Sequence, residues 1–329
     1  MDKDIKEEVF NCSKCGLCQS VCPIYLATKN EMFLPRGRFI NLNNHFNNGA
    51  KVSRKFIKNL DVCLNCNLCK QFCPSDIDSV KIYSELKSLY KKGIITKLTR
   101  PVLPFVKLFS LIFPFGMFKT EIKRVVSKPT QVKAKVAYFQ GCFNRYVNAT
   151  DKNAAINLLG KYGYETICVI NECCGYSMIC DGDLKAFNKN SQKIINAIPD
   201  GIDYIVCSCD SCYETLKRIP KLQSKLITID KLLNVTLEDV SYFKPLIRST
   251  DNLPCINKKG DCTLLENFFA LKHPVLAKRI GKKLPKITAE NPIVTTCQIT
   301  KAGLKHRTKR KIYTYSEYLW GKTLKENVD

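Results

Sequence analysis

CSKCGLCQSVCP, residues 12–23, is matched further along the chain by CLNCNLCKQFCP, residues 63–74. Both read Cys-x2-Cys-x2-Cys-x3-Cys-Pro: Cys12, Cys15, Cys18 and Cys22 before Pro23, then Cys63, Cys66, Cys69 and Cys73 before Pro74. A single Cys-x-x-Cys leaves zinc as a competitor, whereas two complete four-thiol runs with proline in the same place point to iron–sulfur chemistry. The 329 residues hold 19 cysteines, an odd count, and only three histidines. The first residues, MDKDIKEEVF, mix acid and base without an apolar stretch, so no secretory signal is read there and a reducing cytosol is expected. Thiols in that compartment serve as metal ligands, redox groups or small buried residues rather than as a disulfide framework. Packing thiols would be scattered; these are clustered.

The two runs resemble those of bacterial ferredoxins, which hold two 4Fe-4S clusters. Three closely spaced thiolates wrap three irons of one cube, and the fourth, displaced by the proline turn, reaches the other. Cys12, Cys15, Cys18 and Cys73 are thereby assigned to one 4Fe-4S cluster, and Cys63, Cys66, Cys69 and Cys22 to the second. The stretch between the runs is too long for a compact ferredoxin and carries helical patterning in GRFINLNNHF and VSRKFIKNL; VKIYSELKSLYKKG repeats it after the second run. Residues 1–95 are therefore expected to form a helical ferredoxin-like domain.

From residue 134 the pattern alternates between strand and helix. KVAYFQG, ETICVI and DYIVCS read as strands, and DKNAAINLLGKYG and DLKAFNKNSQKIINAI as helices, a parallel α/β arrangement. Cys142 follows the first strand, Cys173-Cys174-Gly175 the second, and Cys209 and Cys212 the third. The ends of parallel strands converge on one edge, so these five thiols are expected to face one volume. Five sulfurs exceed the four of a structural zinc site, which favours a third iron–sulfur cluster. Gly175 suggests backbone brought close to a bulky ligand. Cys168, Cys180 and Cys207 are read as small buried residues.

This order of motifs resembles the CCG-domain (cysteine-rich) iron–sulfur proteins. That family includes the iron–sulfur subunit of glycolate oxidase, the lactate utilisation iron–sulfur protein, the third subunit of anaerobic glycerol-3-phosphate dehydrogenase and the cysteine-rich subunit of heterodisulfide reductase. FLPRGRFI (33–40), CLNCNLCKQFCPSDI (63–77), FALKHPVLAKRIGKKL and IVTTCQIT carry the likeness, nearest to the glycolate oxidase subunit. The resemblance implies an α+β multidomain chain: residues 1–95, a linker over 96–133, a first cysteine-rich α/β domain over 134–235 and a degenerate second one over 236–329. In the second repeat Leu246 stands where a cysteine is expected, GDC keeps one cysteine of a pair, and Thr300 replaces the partner of Cys297. Cys255, Cys262 and Cys297 remain, and this repeat is expected to persist mainly as fold.

The resemblance implies an electron-transfer subunit of an oxidoreductase. A separate FAD-containing flavoprotein oxidises a 2-hydroxy acid such as glycolate or lactate, and electrons pass through this chain to quinone or another acceptor. No dinucleotide-binding Gly-x-Gly-x-x-Gly loop is present to take hydride here. A heterodisulfide-reductase-like thiol/disulfide reductase is the alternative.

Lys and Arg number 53 against 29 Asp and Glu, a formal charge of +24. The basic residues are spread along the chain with no nucleic-acid motif beside them, so nucleic acid is not expected as a partner. Positive charge offsets anionic clusters, with Arg36 and Arg38 as candidates, and steers an acidic flavoprotein. The apolar stretch PVLPFVKLFSLIFPFGMF (101–118) contains Lys107 and three prolines, unsuited to a continuous membrane span. It reads as a linker packed on a domain, with docking on a membrane face or apolar partner as the sharper reading. The location expected is cytoplasmic, or peripheral on the inner membrane face.

Overall fold

The computed structural model describes residues 3–90, 129, 131–146, 148–243, 273–283, 291–304 and 308–326. The apolar stretch at 101–118, Cys255, Cys262 and Leu246 lie outside the described residues. The chain divides into two compact units.

The first unit takes in residues 1–96, 177–184 and 246–287. Its helices include Pro35–Asn48, Arg54–Leu60 and Ser79–Tyr90. Each has a local cause. Pro35 opens the first with its φ already suited to a helix, and Gly49 ends it at φ +64°. Ser53 caps the second, its side chain accepting from the Phe56 N–H at 3.0 Å. The third places Ile82, Tyr83 and Leu86 against Phe39, Leu42 and Leu60, all essentially without exposure. Burial of each such aliphatic side chain is worth about 1.5–3 kcal/mol. A second core joins Val21, Ile24, Leu64 and Leu68 to Ala277 and Ile280 of the helix Pro274–Lys283.

The second unit takes in residues 97–176, 185–245 and 288–329. Strands β1 (Ala134–Phe139), β2 (Tyr164–Ile170), β3 (Tyr204–Cys207) and β4 (Leu226–Thr228) form a parallel sheet in the order β2-β1-β3-β4. In β1, Val136 to Phe139 are all buried, the continuous apolar run of a strand covered on both faces. β4 is only three residues long, too short to register as a periodicity in the sequence. Strands β5 (Ser241–Phe243), β6 (Ile293–Thr295) and β7 (Ile312–Thr314) form a second parallel sheet in chain order. Val136, Tyr138 and Val206 of one sheet share a core with Val294 of the other, together with Ile156 and Leu319 from helices Ala149–Lys161 and Tyr315–Glu326. The order β2-β1-β3-β4 reverses direction between β1 and β3, the switch point where open parallel sheets bind ligands beyond their strand ends.

Among the described residues, no helix is long and apolar enough to cross a membrane.

Candidate metal centres

The two cysteine runs fold into the same loop. Lys14 and Gly16 of the first run have φ of +59° and +84°; Asn65 and Asn67, at the equivalent places in the second, have +53° and +59°. Left-handed residues at these two positions wind the backbone inward, so that the N–H two residues after a cysteine points back at its sulfur. Lys14, Leu17 and Leu68 donate in this way to Cys12, Cys15 and Cys66, and the Asn65 nitrogen lies 3.4 Å from the Cys63 Sγ. Such concave rings of N–H groups suit an anionic, sulfur-rich group.

Cys12, Cys15, Cys18 and Cys73 line one cavity together with Cys69. Arg36 lines it as well. Its backbone N–H donates to Cys18, and its side chain is held 2.6 Å from Glu31 Oε1. A Cβ on Gly16 would come within 2.8 Å of the flexible end of Arg36, so glycine is favoured here chiefly by its φ of +84°. Cys15 is exposed, and its thiol is lowered by the N–H of Leu17 and the Ser13 side chain; burial raises Cys12 and Cys18.

Cys22, Cys63, Cys66 and Cys69 line a second cavity together with Arg38 and Tyr83. Burial pushes Cys22 up to about 11 and Cys66 and Cys69 well up. Apo thiols in such a site resist ionisation, so the thiolates need a cation. Arg38 is 1% exposed and donates through Nη2 to the carbonyls of Asn59 and Val62, 2.7 Å from each. Its Nε is buried with no hydrogen-bond partner. An orphaned donor on a buried cation, in the wall of an all-sulfur cavity, fits a 4Fe-4S cluster, whose sulfurs accept hydrogen bonds and whose net charge is negative.

Asn65 also reaches outward. Its Nδ2 lies 3.2 Å from the Cys180 Sγ, and the Cys180 carbonyl accepts from Lys87 Nζ at 2.7 Å. Cys180 is thus buried as expected but also steadies the second loop, a role no local signal announced. Cys207 is buried and Cys168 half-buried.

In the second unit Cys142, Cys173, Cys174, Cys209 and Cys212 follow the C-terminal ends of β1, β2 and β3. Their thiols form a connected string: Cys142 meets Cys173, Cys173 meets Cys174, Cys174 meets Cys212, and Cys212 meets Cys209. Contact with Cys173 and burial raise Cys142; contact with Cys173 raises Cys174; contact with Cys174 and Cys209 raises Cys212. Cys209 is lowered, first by the hydrogen bond from Cys212 and then by Cys297.

Glycine at 175 answers to conformation: φ is +89°, which turns its N–H back to the Cys173 Sγ at 3.4 Å. Gly141 also brings backbone close to the string: φ is +68° and a Cβ would meet the Cys212 Sγ at 3.0 Å. The string also has a member that the sequence motifs place with the degenerate repeat. Cys297, just after β6, lies 3.8 Å from Cys209, sulfur to sulfur.

Among the described residues, no three side chains converge closely enough to hold a single metal ion. The cysteines of the first unit instead line two shared cavities with at least four sulfurs each, the donor set of an iron–sulfur cluster.

Comparison with known proteins agrees with this geometry. Residues 8–77 match the model of a 4Fe-4S dicluster domain, and residues 136–217 that of the CCG cysteine-rich domain. The chain is 25% identical over 245 residues to a subunit of the dihydromethanophenazine:CoB–CoM heterodisulfide reductase of Methanosarcina acetivorans, covering 64% of this chain and 57% of that one. It is 26% identical over 257 residues to the glycolate oxidase iron–sulfur subunit of Escherichia coli, covering 68% and 62%. To a subunit of the fumarate reductase (CoM/CoB) of Methanothermobacter marburgensis it is 22% identical over 275 residues, covering 79% and 54%. The matches thus span little more than half to three fifths of the relatives' length. No solved structure gives a significant match. This chain thus carries a 4Fe-4S dicluster domain followed by a CCG cysteine-rich domain, each around its own set of thiols, and is similar to iron–sulfur subunits of oxidoreductases.

Proposed function

We propose that this chain is the iron–sulfur electron-transfer subunit of a flavin-dependent 2-hydroxyacid dehydrogenase complex of the glycolate or lactate type. A partner FAD subunit oxidises the substrate, and this chain relays electrons to quinone or another acceptor. The observation that carries the reading is the gathering of the cysteines into three sulfur-lined sites on one chain with no dinucleotide loop. Cys12, Cys15, Cys18 and Cys73 are assigned to one 4Fe-4S cluster, Cys22, Cys63, Cys66 and Cys69 to a second, and Cys142, Cys173, Cys174, Cys209 and Cys212 to a third iron–sulfur site.

Clusters bound there supply one-electron carriage. The chain's own residues hold and tune them: the N–H groups at Lys14, Leu17, Asn65 and Leu68 donate to ligand sulfur, Arg38 adds buried positive charge, and the apolar walls keep water out. The hydrogen bonds and the buried charge favour the reduced, more negative state.

The test is anaerobic reconstitution with iron and sulfide analysis, EPR, and purification of the native complex. Fewer than about eight irons per chain, or zinc, refutes the two-cubane assignment. Replacing Cys173 or Cys174 by Ser is expected to remove only the third signal. A copurifying flavoprotein with hydroxyacid dehydrogenase activity supports the reading. The second reading, a thiol/disulfide reductase, is favoured by the likeness to the heterodisulfide reductase subunit; disulfide reduction by this chain without a flavoprotein would decide for it.

A further inference from the structure

We propose that Cys297, carried by the second sheet, is a ligand of the same cluster as Cys209, so that the third cluster is gripped from both sheets. The proposal rests on reading the strand-end thiols as an iron–sulfur site.

Three observations carry it. The first is position. β6 ends at Thr295 and Cys297 follows two residues later, as Cys209 follows the end of β3 at Cys207. Two parallel strands in different sheets thus deliver a cysteine from the same structural place.

The second is how firmly the two loops are joined. The Asp210 N–H donates to the Thr296 carbonyl at 3.1 Å, the Thr296 hydroxyl donates to the Asp210 carboxylate, and the Gln298 N–H donates to the Cys209 sulfur. Asp210, Thr296 and Cys297 are all buried. The juxtaposition is therefore fixed by main-chain and side-chain bonds, not by a loose side-chain approach.

The third is the surroundings of the thiol. Cys297 is fully buried, with the Cys209 sulfur at 3.8 Å and the Ser211 hydroxyl at 3.4 Å. A metal–thiolate bond of about 2.3 Å and a tetrahedral angle set two sulfurs on one metal about 3.8 Å apart. Two packed thiols take the same spacing, and the experiment separates these cases. Thr300, at the place of the Cys-x-x-Cys partner of Cys297, is buried with its hydroxyl unpartnered. Having lost that partner, Cys297 is placed to serve the site of the first sheet.

The test uses the full-length protein, reconstituted anaerobically with ferrous iron and sulfide, in three forms: wild type, Cys297→Ala and Cys207→Ala. Cys207 is equally buried but is placed outside the string, so its truncation controls for the packing lost with a buried sulfur. Iron per chain, EPR and Mössbauer spectra are read, the two N-terminal cluster signals reporting that the chain has folded. The expected result is loss or a changed spectrum of the third cluster in Cys297→Ala, with the N-terminal signals intact and Cys207→Ala like wild type. A third-cluster spectrum and iron content in Cys297→Ala identical to wild type would overturn the proposal. So would an equal loss in both variants. Should wild type itself take up only two clusters, the underlying reading of the strand-end thiols fails instead.

Discussion

The guanidinium of Arg38 lies 4.7 Å over the ring of Tyr83 and spans from there to two main-chain carbonyls beside the second cysteine run. It is the largest side chain buried to this degree among the described residues. Removing it takes the donor from the Val62 carbonyl, while the Asn59 carbonyl keeps the Val62 N–H at 3.1 Å, and it takes a cation from the wall of an anionic site. Arg38→Gln is expected to cost about 2–4 kcal/mol in denaturant unfolding of the reconstituted protein. The reduction potential of the Cys22/Cys63/Cys66/Cys69 cluster should fall while that of the other N-terminal cluster stays in place. Arg38→Lys keeps the charge but not the planar fork, so it should recover more of the potential than of the stability.

Asn67 sits at φ +59°, where a β-branched side chain is strained. Asn67→Val should destabilise the loop by about 1–2 kcal/mol and speed iron loss to a chelator, whereas Asn67→Gly should release iron at the wild-type rate. Equal rates for the two variants would mean that backbone conformation at this position does not control cluster retention.

Gly141→Ala tests the third site from its backbone. A methyl group there meets the Cys212 sulfur at 3.0 Å on a residue already at positive φ. The expected result is loss of the third-cluster EPR signal, with both N-terminal signals unchanged.

Asp151 is fully buried and accepts from Asn144 at 2.8 Å, from Ser208 at 2.7 Å and from the Thr314 hydroxyl. Burial outweighs these bonds and raises its carboxyl from 3.8 to about 6. The folded chain therefore holds a proton over the interval from about 4 to 6 that the unfolded chain releases, and stability from this group is lost as pH rises through that window. Relative to Asp151→Asn, wild type should lose on the order of 1 kcal/mol per pH unit between about pH 4.5 and 6 and then level off. Calorimetric unfolding at several pH values reads this directly; a difference that grows with pH in the opposite sense would overturn the assignment.

Much of the architecture was legible along the chain. The strands expected from KVAYFQG, ETICVI and DYIVCS appear as β1, β2 and β3, and the helices expected after Arg36, around Phe56 and after Ser79 are present. These follow from local periodicity, which a single segment carries within itself. The left-handed turns at Lys14, Asn65 and Asn67 were not legible, because lysine and asparagine are tolerated rather than required there; only Gly16 advertised the conformation. Gly141, where a Cβ would meet the Cys212 sulfur, gives no local sign because that neighbour is remote along the chain.

The sequence by itself singled out the candidate ligands, two four-thiol runs and five strand-end cysteines, since ligand spacing and strand periodicity are properties of short segments. Only the tertiary structure decided how those segments meet. It set Arg38 in the wall of the second cavity, gave Asn65 its support in Cys180, and brought Cys297 to Cys209. Each of these depends on the path of the chain between distant residues, along which packed helices and paired strands, not local propensity, set the distance.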